Sequence, residues 1–396
     1  MVCLNKYIDD RLLFTSFQYY TIIALYMLML FTIKYYDNPY FMIWFIYSLV
    51  PFMDEFLALD LRNPTKEESK SLEKELRFKL PLYITLFVDW FSTVFLLNYV
   101  TTNPDMNLFI FIGCLVVSGN LAAVNINISH ELMHKDNKLD QFFGMITLSK
   151  NLYMHFFIEH VQGHHKNVAT PKDPATSKFN QTLYEFLPQS IIGSLKSAWN
   201  LEVKRLLEIK KLKSVWVLEN RMFYFGLNNI ILPAIVFWIW GFIGLFYFVG
   251  TAAIGIILLE VINYIEHYGL RRKEISPGVY EKVAIYHSWN TPHRMSNYLL
   301  FKLQRHSDHH ENGYKPYQIL NSFPDSPQLP HGYTVCILLS LVPQVWFSIM
   351  NEYVLRYNQK KEIPEEFKKK IHFEIMKFVG VVFLFNFFFM MIGFWK

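Results

Sequence analysis

Cysteine is scarce in this sequence. Only three occur in 396 residues, Cys3, Cys114 and Cys336, far apart and with no C-x-x-C pair. That excludes a disulfide-stapled secreted fold, a cysteine zinc site and a cysteine-held iron–sulfur centre within the chain. Charge is scarce too. Asp, Glu, Lys and Arg make up 18% of residues, below the roughly 25% of soluble domains. No phosphate-cradling loop is present, neither G-x-G-x-x-G nor a Walker-type lysine loop. The net charge of +5 is modest. Its basic residues sit in loops between apolar runs rather than on one face, so nucleic acid is not an expected partner. Apolar side chains are what the sequence has most of. It is 52% hydrophobic and 18% aromatic, with 37 Phe and 24 Tyr, which rules out a disordered chain and does not suit a solvated globule.

A helix crosses a bilayer with about 20 mostly apolar residues. Candidate spans are Phe17–Ile33, Tyr40–Leu59, Leu80–Tyr99 and Leu108–Ile128. The uncharged run from Met222 to Leu259 is too long for one crossing. It reads as two helices, 226–244 and 247–266, turning near Gly241–Gly250 and ending close to His267. The expected fold class is all-α, a polytopic transmembrane helix bundle of six spans. A signal peptide is a poor reading of the first segment, which lacks a small-residue cleavage site and is followed at once by a second span.

Loop charge sets the expected orientation. The 60–79 loop carries Arg62, Lys66, Lys70, Lys74, Arg77 and Lys79, whereas the 101–106 turn has no Lys or Arg. Both long loops and the N-terminus are therefore expected in the cytoplasm, and six spans return the chain there after His267. The whole chain, 1–396, reads as one domain: a membrane bundle capped by a cytoplasmic helical lobe built from 129–221 and 267–373. Tyr333–Met350, broken by Pro343, reads as a lobe helix resting on the membrane face. Phe378–Trp395 is uncharged and just long enough to cross. It stands either as a seventh span or as an interfacial anchor.

Histidine is unevenly spread. Nine of the fourteen fall in four groups. These are His130-Glu-Leu-Met-His134-Lys135, Glu159-His160-Val-Gln-Gly163-His164-His165, Asn263-Tyr264-Ile-Glu266-His267-Tyr268-Gly269, and Leu303-Gln304-Arg305-His306-Ser307-Asp308-His309-His310. Residues three and four apart share a helix face. His130 with His134, His160 with His164, and His306 with His309 and His310 have that spacing, so each group is expected to aim its imidazoles at one point. His130 follows the fourth span and His267 closes the sixth, which puts both at the cytoplasmic membrane face. A lone histidine is more often a packing residue. Nine in ligand-spaced groups point to metal, and imidazole suits Zn, Cu, Fe and Ni. One ion takes four to six ligands, so nine imply two. Usual zinc sites do not use nine histidines; two redox irons fit better, although ligand count alone leaves the metal open.

These four boxes resemble the membrane-bound alkane 1-monooxygenase family of non-heme di-iron enzymes. H-E-L-x-H-K, E-H-x-x-G-H-H, N-Y-x-E-H-Y-G and L-Q-R-H-S-D-H-H stand here intact. The stretch Val168-Ala-Thr-Pro-Lys-Asp-Pro-Ala-Thr-Ser177, the segment His287-Ser-Trp-Asn290, and Asp54, Asp60, Asn63 and Pro64 are similar to the family as well, so the likeness runs from about Val50 to Met350. One departure is Thr291-Pro292-His293, where the family usually has S-N-H; proline fixes φ and removes a donor. The resemblance implies two iron ions held by His130, His134, His160, His164, His165, His267, His306, His309 and His310. It implies O2 as co-substrate and terminal hydroxylation of medium- or long-chain alkanes taken from the lipid phase. Electrons would come from rubredoxin, reduced by its reductase. A bacterial inner membrane is the family default, or endoplasmic reticulum in a eukaryote. Membrane fatty-acid desaturases and hydroxylases, and xylene-type methyl-group monooxygenases, are the nearest alternatives. A metal transporter would need more polar residues along its spans.

An unactivated C–H bond offers nothing to protonate and no leaving group, so the oxidant must come from metal and O2. Metal-bound imidazoles usually donate their other N–H to a carboxylate or carbonyl. Glu131, Glu159, Glu266 and Asp308 lie inside the boxes. Glu260, Asn263 and His267 share one helix face, so Glu260 or Asn263 is expected to orient His267 or a neighbour; the alternative is that Glu260 only ties helices together. Asp89, in mid-span, reads either as functional or as a structural hydrogen bond. The substrate pocket is expected to be an apolar channel walled by aromatics of the first four spans. Glu202–Lys213 reads as a basic amphipathic helix, meeting anionic headgroups or docking an acidic electron carrier. His155, His287, His293, His331 and His372 fall outside the ligand set; His287 and His293 are placed beside it, and His331 and His372 in packing or surface roles.

Overall fold

The computed structural model describes residues 15–395; Cys3 and the expected position of the N-terminus lie outside them. The described residues are mostly helical, and their only strands form one two-stranded hairpin, β1 (Glu274–Ser276) against β2 (Val279–Tyr280). Five helices are long and apolar enough to cross a membrane: Thr15–Tyr36 (α1), Leu76–Thr102 (α4), Leu108–Met133 (α5), Arg221–His267 (α9) and Glu365–Phe394 (α14). Between α1 and α4 come a helical stretch over 40–56 (α2) and the short Lys66–Leu72 (α3).

At 1.5 Å per residue, 47 residues would run to about 70 Å, more than twice a bilayer core. α9 is not one rod, however. Gly241 breaks it at φ 64°, ψ −163°, a conformation nearly reserved for glycine. The limbs are 221–240 and 242–267, so the expected turn exists but falls before residue 244 rather than after it. α2 is built of consecutive pieces of 5, 5 and 7 residues. It ends at Phe56, not Leu59, because Leu57 is extended. α14 includes the apolar tail from Phe378 to Phe394 and runs antiparallel to α2. Asn38 Nδ2 donates to the Met390 carbonyl (3.0 Å), Asn386 Nδ2 to Ser48 Oγ (3.1 Å), and Trp44 meets Phe383 edge-on. These contacts pack α14 against α2, and α14 is long and apolar enough to cross a membrane.

Mid-bundle charge is paired. Lys150, from the helix Lys138–Lys150 (α6), contacts Asp89, and Tyr26 donates to Asp89 Oδ1 at 3.1 Å. An unpaired charge at this depth would cost several kcal/mol, so the structural reading of Asp89 is the one its surroundings support.

The lobe is a set of short helices. They are 156–167 (α7), Leu183–Lys204 (α8), Arg294–Leu299 (α10), His306–Glu311 (α11), Tyr333–Ser340 (α12) and Pro343–Asn358 (α13). α12 and α13 separate just before Pro343 and pack on the end of α9, where Trp346 lies against Tyr264 and Tyr268. The expected helix over 202–213 is corrected. α8 continues only to Ile209 through a π turn. Glu202 is fully buried and takes both Arg205 (2.8 and 2.6 Å) and Arg221 (3.0 and 2.6 Å). One apolar core joins α1, α2, α4 and α5; a second joins α9, α12 and α13. The ends of α5 and α9 meet at their junction.

Candidate metal centre

Two of those helix ends carry histidine. His130 sits in the last turn of α5, with His134 just beyond it, and His267 is the last residue of α9. The C-terminal end of a helix carries partial negative charge and favours a cation. α7 and α11 bring the remaining six histidines.

The nine side chains form two adjoining nests. His130, His134, His160, His165 and His309 make the first; His164, His267, His306 and His310 make the second. Within each nest the nitrogens lie within 4.8 Å of one another, a spacing at which they could hold a metal ion. The rings of His165 and His310, 4.5 Å apart, join the nests.

Each helical group was expected to aim at one point, and two of the groups do not. In α7, residues His160–His164 form a π turn. The hydrogen bonds then span five residues instead of four, which widens the turn. His160 therefore shares a nest with His165, and His164 is turned into the other. α11 is split as well: His306 and His310, one α turn apart, enter the second nest and His309 the first.

Several nitrogens face one another with nothing between them. His165 Nε2 stands 3.0 Å from both His160 Nε2 and His309 Nε2, and His306 Nε2 stands 2.9 Å from His310 Nε2. One N–H on His165 can serve only one of its two neighbours. A separation of about 3 Å is what two ligands show around an ion held at about 2.1 Å. Nε2 of His130, His134, His164 and His267 is buried without a hydrogen-bond partner. Orphaned buried groups of this kind are costly, and a cation would satisfy them together. Gly313 closes the first nest: a Cβ there would stand 3.2 Å from His165 Cε1 and 3.4 Å from His134 Nδ1. The residues present thus fit two metal ions.

Burial holds the imidazoles of His160, His165, His306, His309 and His310 well below their ordinary range, and neighbouring histidines add to the shift. They are neutral, with free lone pairs. Burial pulls His164 the same way. The Asp173 carboxylate beside it, with Glu159 and Glu266 nearby, outweighs burial and lifts it to about 9. The field at His164 therefore favours positive charge, whereas burial holds His306 and His310 of the same nest well below their ordinary range.

Asp173 Oδ2 is 2.9 Å from His164 Nδ1. It fixes the tautomer that leaves Nε2 open to the nest. Its own turn holds Asp173, through Ala175 N (3.0 Å) and Thr176 Oγ1. Sequence reasoning missed Asp173 as a site residue, although it lies in the quoted stretch 168–177. Glu266 Oε2 is 3.2 Å from His306 Nε2, and the His287 carbonyl is 3.4 Å from His267 Nδ1.

Other expected supports do not reach the nests. Glu260 accepts from Tyr153 (2.9 Å), Asn263 (3.1 Å) and Ser190, so neither Glu260 nor Asn263 bonds a histidine. Asp308 is taken by Asn312, Lys315 and the Asn321 N–H, which hold the loop after α11. Glu131 bonds Lys135 and the Tyr317 N–H. The ring of His287 faces Glu281. His293 stacks on His331, His331 and His372 approach Glu55, and His155 lies on Tyr153. Pro292 needs no donor here: its carbonyl accepts from Asp60 N at 2.7 Å.

An apolar cavity of about 90 Å³ lies between α5 and α9, short of their histidine-bearing ends; Asn127 and Ile262 line it and no nest histidine does. Its walls are mainly aliphatic, among them Ile22, Leu25, Met42, Ile46, Val50 and Leu121. They come from α1, α2, α5, α9, α10 and α12, with no residue from α4. The expected aromatic wall is reduced to Tyr47 and Tyr333. The space would admit water by size; most of its polar neighbours are engaged elsewhere, and Thr334 Oγ1 is the one buried without a partner. Tyr47 bonds Asn120, Asn127 bonds the Leu300 carbonyl, and Ser296 bonds Asp54.

Fold and site together define an integral membrane protein of the histidine-box type, with paired nests able to hold metal. Residues 106–337 match the model of the fatty acid desaturase family. The chain is 36% identical over 320 residues to alkane 1-monooxygenase 2 of Alcanivorax borkumensis, covering 80% of this chain and 83% of that one. It is 41% identical over 242 residues to alkane 1-monooxygenase 1 of Pseudomonas aeruginosa, covering 61% and 63%. It is 30% identical over 270 residues to the xylene/toluene monooxygenase hydroxylase component of Pseudomonas putida, covering 64% and 67%. The chain belongs to the alkane 1-monooxygenase family, within the wider fatty acid desaturase group.

Proposed function

We propose that the protein hydroxylates the terminal methyl of medium- or long-chain n-alkanes, with the two nests as its di-iron site. The observation that carries this reading is the pair of buried histidine nests at the ends of α5 and α9, with an apolar cavity farther along the same two helices. A linear hydrocarbon has no polar handle, so only such a cavity can bind it, by removing its surface from water. Iron, when bound, supplies the redox chemistry with O2 that no side chain can provide. The balance takes O2, two electrons and two protons; one oxygen atom enters the alcohol and the other leaves as water. The chain's own part is to orient and to exclude. Neutral imidazoles hold the ions, Asp173 and the His287 carbonyl fix two of the rings, and the aliphatic wall keeps solvent from the methyl end.

Rubredoxin is the proposed electron donor, and the basic residues Lys210, Lys211 and Lys213 beyond α8 are a reasonable acidic-partner surface. The Lys- and Arg-bearing loop at 60–79 supports a cytoplasmic active site, in the inner membrane of a bacterial source. The 30% identity to a xylene/toluene hydroxylase favours one second reading, attack on the methyl group of an aromatic.

Iron per chain in detergent, measured beside His309→Ala, tests the site, and products from octane to hexadecane and from xylene test the substrate. About two irons, falling sharply in the variant, with 1-alkanols as products, is the expected result. Intact folding without iron would overturn the reading. Benzylic alcohol alone would replace it by the second one.

A further inference from the structure

One cavity-lining side chain is hydrogen-bonded to a carboxylate that meets a histidine of the second nest. Tyr333 opens α12 and is completely buried. Its ring lines the apolar cavity. Its hydroxyl donates to Glu266 Oε1 at 2.7 Å, and Glu266 Oε2 stands 3.2 Å from His306 Nε2. Among the described residues, no other cavity-lining side chain hydrogen-bonds a group that touches a histidine of either nest. Tyr47, Asn127 and Ser296 all turn their hydrogen bonds away from the nests.

We propose that Tyr333 is a positioning residue that couples occupancy of the cavity by an alkyl chain to the second nest. This rests on the function proposed above. A phenol has two soft torsions and a rigid ring. A chain pressing on the ring can turn it about χ2 with the oxygen in place, but any swing about χ1 carries the hydroxyl with it. The hydroxyl is hydrogen-bonded to a carboxylate, and buried charge-assisted bonds of this kind are strong. Glu266 leads directly into α9's terminal His267, and its other oxygen meets His306. Displacement of the ring therefore alters two of the four imidazoles of one nest and none of the other. An empty cavity and a filled one present the second metal with different surroundings, which is a means of tying readiness for O2 to the presence of substrate. Coupling of this sort is reciprocal: whatever alkane does to metal affinity, metal does to alkane affinity.

The test is an anaerobic titration of the metal-free, detergent-purified protein with Fe(II), with and without dodecane, alongside Tyr333→Phe and Ile337→Val. Iron content and alcohol product of the wild type are measured in the same series. In the wild type, dodecane should shift the affinity of one of the two irons by about fivefold or more. Tyr333→Phe keeps the ring and loses only the hydroxyl. It should still bind two irons, with a dodecane shift close to onefold. Ile337→Val reshapes the same cavity without touching Glu266 and should keep the shift. A full shift in Tyr333→Phe, or none in the wild type, would overturn the coupling while leaving the hydroxylase reading intact. A wild type that binds no iron or makes no alcohol would overturn both.

Discussion

The two nests use the same side chain for different environments. The first has five imidazoles, and among the described residues no carboxylate is seen hydrogen-bonded to any of them. The second has four, with Asp173 on His164 and Glu266 beside His306. Five neutral donors leave an ion's charge uncompensated but hold it redundantly. Four donors with two carboxylates at hand compensate charge and hold their rings in fixed orientations, with nothing to spare. The difference suggests a division of labour: the second nest depends on its supports, the first on its number of ligands. It also links the nest most open to adjustment to the cavity, through Tyr333.

Removing one ligand from each nest puts the largest strain on this comparison. His306→Ala leaves three imidazoles in the second nest and frees Glu266. It should lose roughly one metal per chain and drop turnover at least 100-fold, because that nest falls below the four donors a first-row ion commonly takes. His134→Ala leaves four imidazoles in the first nest and should keep close to two metals, released more readily to a chelator. Metal analysis after graded chelation reads both. Equal losses in the two variants would mean that the extra ligand of the first nest brings no redundancy.

Asp173→Asn is the next step down. The amide keeps the shape but removes the charge that fixes the tautomer of His164. Metal affinity of the second nest should fall about 10- to 100-fold, with the first nest unaffected. If both metals weakened together, the nests would be one coupled site and the contrast between them would disappear.

How much of this could be read in the sequence follows from the range of the signals. The four boxes stand out because ligand types at helical spacing are improbable by chance. The helical bundle is legible because long uncharged runs have few other fates. The break in α9 was visible as glycine in an overlong run, though only backbone geometry chose Gly241. The sorting of histidines was not legible. The i, i+4 rule assumes an α turn, and His160–His164 is a π turn, which rests on tertiary packing and has no local signature. Where Glu260 and Asp308 direct their oxygens was not legible for a related reason. Proximity in a box says nothing of where a carboxylate points, and both point at hydroxyls, amides or lysine instead. Tyr333 was invisible as a site residue because its partner lies 67 positions away.

Glu260 gives the smallest expected effect on the metals, and it separates support from mere burial. It is fully buried, on the same helix as His267, and surrounded by donors from Tyr153, Ser190 and Asn263. None of these bonds ends on a histidine. Glu260→Gln would turn one acceptor oxygen into an NH2 group facing a donor, a mismatch costing roughly 1–3 kcal/mol. The thermal midpoint should therefore fall by several degrees while iron per chain stays at the wild-type value. The contrast with Asp173→Asn is the informative part. Both changes neutralise a buried carboxylate near the second nest, but only one of those carboxylates touches an imidazole. If Glu260→Gln depleted iron as strongly as Asp173→Asn, the field of the buried carboxylates, rather than their hydrogen bonds to individual rings, would be what distinguishes the second nest from the first.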